Sequence, residues 1–162
     1  MIELRKISIL DDNMKDCIEL EVSPEQAKFV AHNAVSLGQA YAVEERGLGS
    51  KVAPYAIYTS GKMVGFVMYG FFKHEYDDEF NEGKDYYSFW RLMIDKDRQG
   101  KGYGKQAMTQ IIDEIKQKPF GEAEHCYISY EPDNPAKKMY KSFGFEETGQ
   151  ISDGELVARM KL

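Results

Sequence analysis

Apolar and polar residues change rhythm at a few places along the chain, and each change marks an element. Ile2 to Ser8 (IELRKIS) alternates apolar and polar, the period of a half-buried strand. Asp11, Asp12 and Asn13 then offer N-caps to a helix running through Leu20. A second helix start has Ser23 at the N-cap, Pro24 at the first helical position and Gln26 completing a capping box; Phe29, Val30, Ala34 and Leu37 follow at helical spacing. From Tyr55 to Phe72, β-branched and aromatic residues alternate on both sides of Ser60-Gly61, which predicts two strands joined by a tight turn.

The stretch KHEYDDEFNEGKDYY is polar and acidic and reads as an exposed connection to a fourth strand, Ser88 to Asp95. That strand is apolar at nearly every position, as expected when both faces are buried. Ala107, Met108, Ile111, Ile112 and Ile115 form one helical stripe, with Pro119 just beyond its end. HCYISYE reads as a fifth strand, NPAKKMYKSF as a short helix closed by Gly144, and the rest as a hairpin turning at Asp153 and Gly154. The order β-α-α-β-β-β-α-β-α-β-β predicts an α+β fold on a mixed sheet, in one domain spanning residues 1–162.

Composition narrows the classes. No run of about 18 apolar residues marks a membrane span, and MIELRKISILDDN carries acids where a signal peptide needs an apolar core, so a cytoplasmic protein with no membrane partner is expected. A net charge of −6 argues against nucleic acid, which selects clustered Lys and Arg, and suits a cationic partner. Cys17 and Cys126 form no CxxC pair, and His32, His74 and His125 show no ligand spacing, so no metal is expected.

The most distinctive segment is Gln99-Gly100-Lys101-Gly102-Tyr103-Gly104-Lys105, placed between the fourth strand and a helix. Amide N–H groups and a positive helix terminus converge there, and glycine lets an anion approach the backbone. It is not a Walker A loop, because Lys105 is followed by Gln106, and not a Rossmann fingerprint, because Lys105 stands where that motif needs glycine. A tight turn with helix-capping glycines is the plainer alternative.

QGKGYG matches in full the Arg/Gln-x-x-Gly-x-Gly/Ala signature of the GCN5-related N-acetyltransferase (GNAT) superfamily. AKKMYKSFGF carries its second marker, with Ala136 and Tyr140 ahead of Gly144-Phe145. The chain therefore resembles that superfamily over nearly its whole length. RLMIDKDRQGKGYGKQAM, SYEPDN and SPEQAKFVAHNAVSLGQAY give a narrower likeness, to bacterial spermine/spermidine acetyltransferases. The resemblance implies a mostly antiparallel sheet of about seven strands with about four helices, acetyl-CoA as cosubstrate and, as in many relatives, a homodimer. It also implies that the fourth strand splays from the fifth. The backbone of Leu92, Met93 and Ile94 would then bind the pantetheine arm, with an N–H near Met93 or Ile94 facing the developing oxyanion. Gln99 to Lys105 would hold the diphosphate.

By the same resemblance Tyr140 protonates the leaving thiolate, the alternative being an aromatic that packs its helix on the sheet. The family often has an Asn seven residues before this Tyr; here Asp133 takes that place and Asn134 is the cofactor contact proposed. Where many relatives have a basic Glu on the fourth strand, this chain has Trp90 and Arg91. Glu131, Glu75 and Asp77 are the carboxylates available as base, but each reads more readily as solvated surface, and no base is assigned.

Glu75, Asp77, Asp78, Glu79, Glu82 and Asp85 concentrate negative charge in one connection, which would attract a polycation if it reached the acceptor cleft; otherwise it is a charged, soluble hairpin. Trp90 and nearby aromatics suit methylene segments and ammonium groups. A small-molecule polyamine is the acceptor expected, contacted by Glu75, Asp77, Trp90 and Glu131. Another amine (an aminoglycoside, amino acid or protein N-terminus) and a non-catalytic acetyl-CoA-binding module stay open.

Overall fold

In the computed structural model, which describes residues 1–74 and 83–162, the N-terminal alternation forms a short strand, β1 (Glu3–Lys6), followed by α1 (Asn13–Glu19) and α2 (Asn33–Glu45). β2 (Lys51–Thr59) and β3 (Lys62–Phe72) form the expected hairpin, with Ser60 and Gly61 both at positive φ, the geometry a two-residue turn requires. β4 (Tyr86–Ile94), α3 (Tyr103–Lys116), β5 (His125–Tyr130), α4 (Lys137–Ser142), β6 (Glu146–Ser152) and β7 (Glu155–Lys161) complete the order. The strands make a seven-stranded mixed sheet in the order β1-β2-β3-β4-β5-β7-β6, parallel only between β4 and β5 among the described pairs.

Period-two alternation sends side chains of β3 to opposite faces. Val67, Tyr69 and Phe71 pack with the stripe of α3, whose Ala107, Met108, Ile111, Ile112 and Ile115 are all buried; Phe66, Met68 and Phe72 pack with Cys17, Ala40 and Val43 of α1 and α2. Burying each large side chain contributes about 1.5–3 kcal/mol, so this patterning dominates over local propensity. One polar contact fixes the rotation of α3: Glu114 Oε1 accepts from the hydroxyls of Tyr55 at 2.8 Å and Tyr69 at 2.6 Å.

The helix start expected at Ser23 needs correction. Its capping bond exists, Ser23 N–H to Gln26 Oε1 at 3.4 Å, and the backbone turns over residues 24–29, but no helix propagates from it. α2 begins instead at Asn33, where His32 Nδ1 accepts from Ala34 N–H at 3.1 Å and the buried Asn33 amide donates to Cys17 O at 2.7 Å. The tertiary anchor places the helix start, and Phe29 and Val30 are left to face a cleft.

The second difference is the burial of β4, and it follows from the splay that the resemblance implies. It pairs with β3 as far as Ile94 opposite Gly65, but with β5 only at Tyr87–Cys126 and Ser88–Tyr127. Beyond that point β5 follows β7 to Tyr130 opposite Leu156, so each strand is held by its outer neighbour and a wedge opens between them. Met68 faces Arg91 and Tyr69 faces Phe89, which makes Trp90 the extra residue of a bulge that bends β4 at the wedge. Burial on both faces therefore holds only at the start of β4; Trp90, Arg91, Leu92 and Ile94 are partly open.

Candidate active site

A cavity of about 360 Å³ runs from the open edge of β4 to the start of α3, lined by Leu92, Met93, Ile94, every residue from Gln99 to Lys105, Asn134 and Tyr140. Gly100 (φ 76°) and Gly102 (φ 75°) adopt left-handed backbone, which turns the chain out of the short 3₁₀ turn Lys96–Arg98 into α3. A Cβ at either would meet nothing within 4 Å, so the backbone conformation, not space, calls for glycine. Gln106 N–H to Gly102 O, at 3.1 Å, starts the ladder of α3, leaving the N–H groups of Tyr103, Gly104 and Lys105 without a helical acceptor. With Arg98, Lys101 and Lys105 on the same wall, the site suits a diphosphate, and the unpaired edge of β4 suits an extended arm leading to it. These residues fit a coenzyme A thioester.

Gln99 also braces the loop. Its side-chain amide exchanges hydrogen bonds with that of Gln26, at 2.7 and 3.1 Å, and donates to Ile94 O at 2.9 Å. The capping residue of the abortive helix thus ties the 24–29 turn to the glycine loop.

A second cavity, about 290 Å³, lies on the other side of the wedge and shares Phe29, Val30, Leu92, Asn134 and Tyr140 with the first. Its remaining wall includes Lys28, Trp90, Arg91, Ser129 and Glu155. Arg91 donates to Trp90 O at 2.9 Å and to Gln39 Oε1 at 3.1 Å, its guanidinium carbon 5.3 Å from the Trp90 ring centroid, while its Nε is buried without a partner. Ser129 Oγ donates to Glu155 Oε2 at 2.5 Å. Nothing in the sequence pattern brings Ser129, Glu155 and Arg91 to one cavity. Ser129 and Glu155 approach only because β5 and β7 pair, at Ser129–Val157 and Tyr130–Leu156.

Tyr140 stands where the cavities meet. Its ring packs on Tyr130 with centroids 5.3 Å apart, and among the described residues its hydroxyl has no hydrogen-bond partner. Burial, then the neighbouring Tyr130 and Glu155, push its ionisation up to about 12, so the phenol keeps its proton at neutral pH. Tyr130 O–H in turn donates to Glu147 Oε1 at 3.2 Å, which also pairs with Lys137 at 2.8 Å and holds α4 against β6.

The other expected residues divide. Trp90 lines the second cavity. Asn134 lines both, its Oδ1 accepting from Ala136 N–H at 2.9 Å, while Asp133, in the place the family gives to Asn, pairs with Lys28 at 2.6 Å. Glu131 lines neither cavity; its carbonyl accepts from Asn134 N–H at 3.0 Å. Glu75 and Asp77 lie outside the described residues. The described flanks of their connection sit at the paired end of β4 and β5, away from the wedge: Lys73 pairs with Asp85 at 2.5 Å and Lys84 with Glu124 at 3.0 Å. Among the described residues no group of three His, Cys, Asp or Glu is placed to hold a metal, and no helix is long and apolar enough to cross a membrane.

A family model described as the acetyltransferase (GNAT) family matches residues 15–145. The chain is 30% identical over 152 residues, 93% of each chain, to a spermine/spermidine N(1)-acetyltransferase of Bacillus subtilis (strain 168). Among solved structures, PaiA N-acetyltransferase of Thermoplasma acidophilum in complex with coenzyme A superposes with a TM-score of 0.68 at 15% identity, covering 100% of this chain and 99% of that one. Aminoglycoside acetyltransferase AAC(6')-Ib in complex with coenzyme A gives 0.70 at 16% identity, covering 99% and 95%. At those identities the two structures establish a shared fold.

Proposed function

The chain belongs to the acetyltransferase (GNAT) family, and from that premise we propose that it acetylates a primary amine of a polyamine such as spermidine or spermine. It is an acetyl-CoA-dependent N-acetyltransferase. In this reading residues 1–162 form one acetyltransferase domain. The polyamine is supported by the likeness to the B. subtilis spermine/spermidine N(1)-acetyltransferase.

The observation that carries the site assignment is the pair of cavities that meet at Tyr140 across the unpaired edge of β4. The glycine loop and Arg98, Lys101 and Lys105 bind the diphosphate, and the backbone of Leu92 to Ile94 aligns the arm. Bound acetyl-CoA supplies an acetyl thioester activated toward amines. An N–H of β4 near Met93 or Ile94 hydrogen-bonds the oxygen on which charge develops. Tyr140 holds its proton at the hydroxyl and offers it to the departing sulfur.

Thiol release with acetyl-CoA and a panel of amines tests this. Spermidine and spermine are expected to be turned over. Reaction with aminoglycosides, amino acids or peptide N-termini while polyamines stay inert overturns the acceptor. Binding of acetyl-CoA without thiol release for any amine overturns catalysis.

A further inference from the structure

We propose that Glu155, oriented by Ser129, is the carboxylate that receives the reacting amine in the second cavity and takes its proton during transfer. This rests on the acetyltransferase reading above and supplies the base that β4, with Trp90 and Arg91, does not carry.

Four side chains with ionisable groups line that cavity among the described residues: Lys28, Arg91, Tyr140 and Glu155. Lys28 pairs with Asp133, and Arg91 is bonded to Trp90 O and Gln39 Oε1, with Glu155 close enough for the two opposite charges to favour each other. Glu155 is thus the negative charge facing the space next to Tyr140. Ser129 occupies Oε2 and leaves Oε1 with no protein donor among the described residues. The carboxylate sits at the first residue of β7, paired with Ser152 of β6 and one residue before the β5 ladder begins at Leu156, so it is presented from the end of the sheet. Its charge reaches the site, since it is among the groups that raise the Tyr140 ionisation.

A carboxylate at this point acts most where it is needed. The amine arrives neutral after losing a proton to solvent, and its nitrogen becomes cationic as the N–C bond forms. The hydrogen bond to Glu155 Oε1 therefore strengthens toward the transition state. As the C–S bond breaks, the sulfur leaves with the electron pair, hydrogen-bonded by the Tyr140 hydroxyl. The proton of the nitrogen passes to Oε1 and Glu155 returns it to solvent, while the thiolate, hydrogen-bonded by Tyr140, takes a proton from solvent as it leaves.

The test compares Glu155→Gln, Glu155→Asp and Ser129→Ala with the parent, using the amine that the parent turns over fastest in the panel. If that amine is not a polyamine, the acceptor proposal fails on its own and the Glu155 comparison proceeds. Glu155→Gln is expected to lower kcat by about 100-fold or more, the range of a lost general base, with acetyl-CoA affinity by calorimetry within twofold of the parent. Glu155→Asp should recover part of the rate, and Ser129→Ala should cost several-fold. In Glu155→Gln the Tyr140 phenol should titrate at lower pH, read as an absorbance difference against the same variant carrying Tyr140→Phe. Parent-like kcat in Glu155→Gln, a change confined to KM, or equal losses in the Gln and Asp variants would each overturn the assignment. Loss of acetyl-CoA binding in Glu155→Gln would overturn it too, by showing a structural role.

Discussion

Replacing Tyr140 with Phe removes one hydroxyl and little else. The ring remains 5.3 Å from Tyr130, and no protein group loses a partner, so folding stability should change by less than about 0.5 kcal/mol. The catalytic cost follows from the phenol's ionisation. Burial holds it at about 12, whereas an ordinary thiol ionises near ~8.5. Moving the proton fully to a thiolate is then uphill by about 3.5 pH units, or about 5 kcal/mol. In the proposed mechanism Tyr140 therefore serves chiefly as a hydrogen-bond donor to a sulfur gaining charge, an interaction worth about 1.5–3 kcal/mol. Its removal should lower kcat by about 10- to 150-fold. Thiol release at saturating acetyl-CoA and amine measures kcat, and calorimetry checks that acetyl-CoA still binds. A loss beyond about 10⁴-fold would show that full proton donation is required and refute this magnitude. A loss under threefold would make Tyr140 a packing residue.

Gly102→Ala forces a side chain into left-handed backbone at φ 75°, so it should destabilise by about 1–2 kcal/mol and weaken acetyl-CoA binding; unchanged Tm and Kd would contradict the cradle geometry. Gln99→Ala breaks the amide pair with Gln26 and the bond to Ile94 O, and should speed amide exchange over residues 24–29 while raising the acetyl-CoA Kd about tenfold. Exchange that is unaltered there would mean the pair does not hold the turn. Cys17 and Cys126 are buried and each thiol is pushed up to about 12, so neither should react with an aromatic disulfide at pH 8 until the chain is unfolded. Because the folded chain holds these protons more tightly, their stabilising effect is complete below pH 9.0 and is lost as pH rises through about 12; denaturant midpoints should fall across that window.

Local pattern determined most of the architecture. Alternation, the α3 stripe and the turn residues Ser60-Gly61 and Asp153-Gly154 need only near neighbours to act, and all appear where expected. The glycine loop was legible for the same reason: Gly100 and Gly102 satisfy a backbone requirement local to a few residues. Chain order alone does not say how far two strands stay paired. The wedge arises because β4 and β5 each keep a stronger partner, and the bulge at Trp90 turns a strand that reads as wholly buried into a cleft wall. Distance in sequence also hid the second cavity, where Ser129 and Glu155 meet only through the β5–β7 ladder. Ser23 and Gln26 offered a valid capping signal, but tertiary bonds at Asn33 and Gln99 outcompeted it. A helix start contributes about 1 kcal/mol through its cap, and burial of the sheet's covering layer decides where the helix lies.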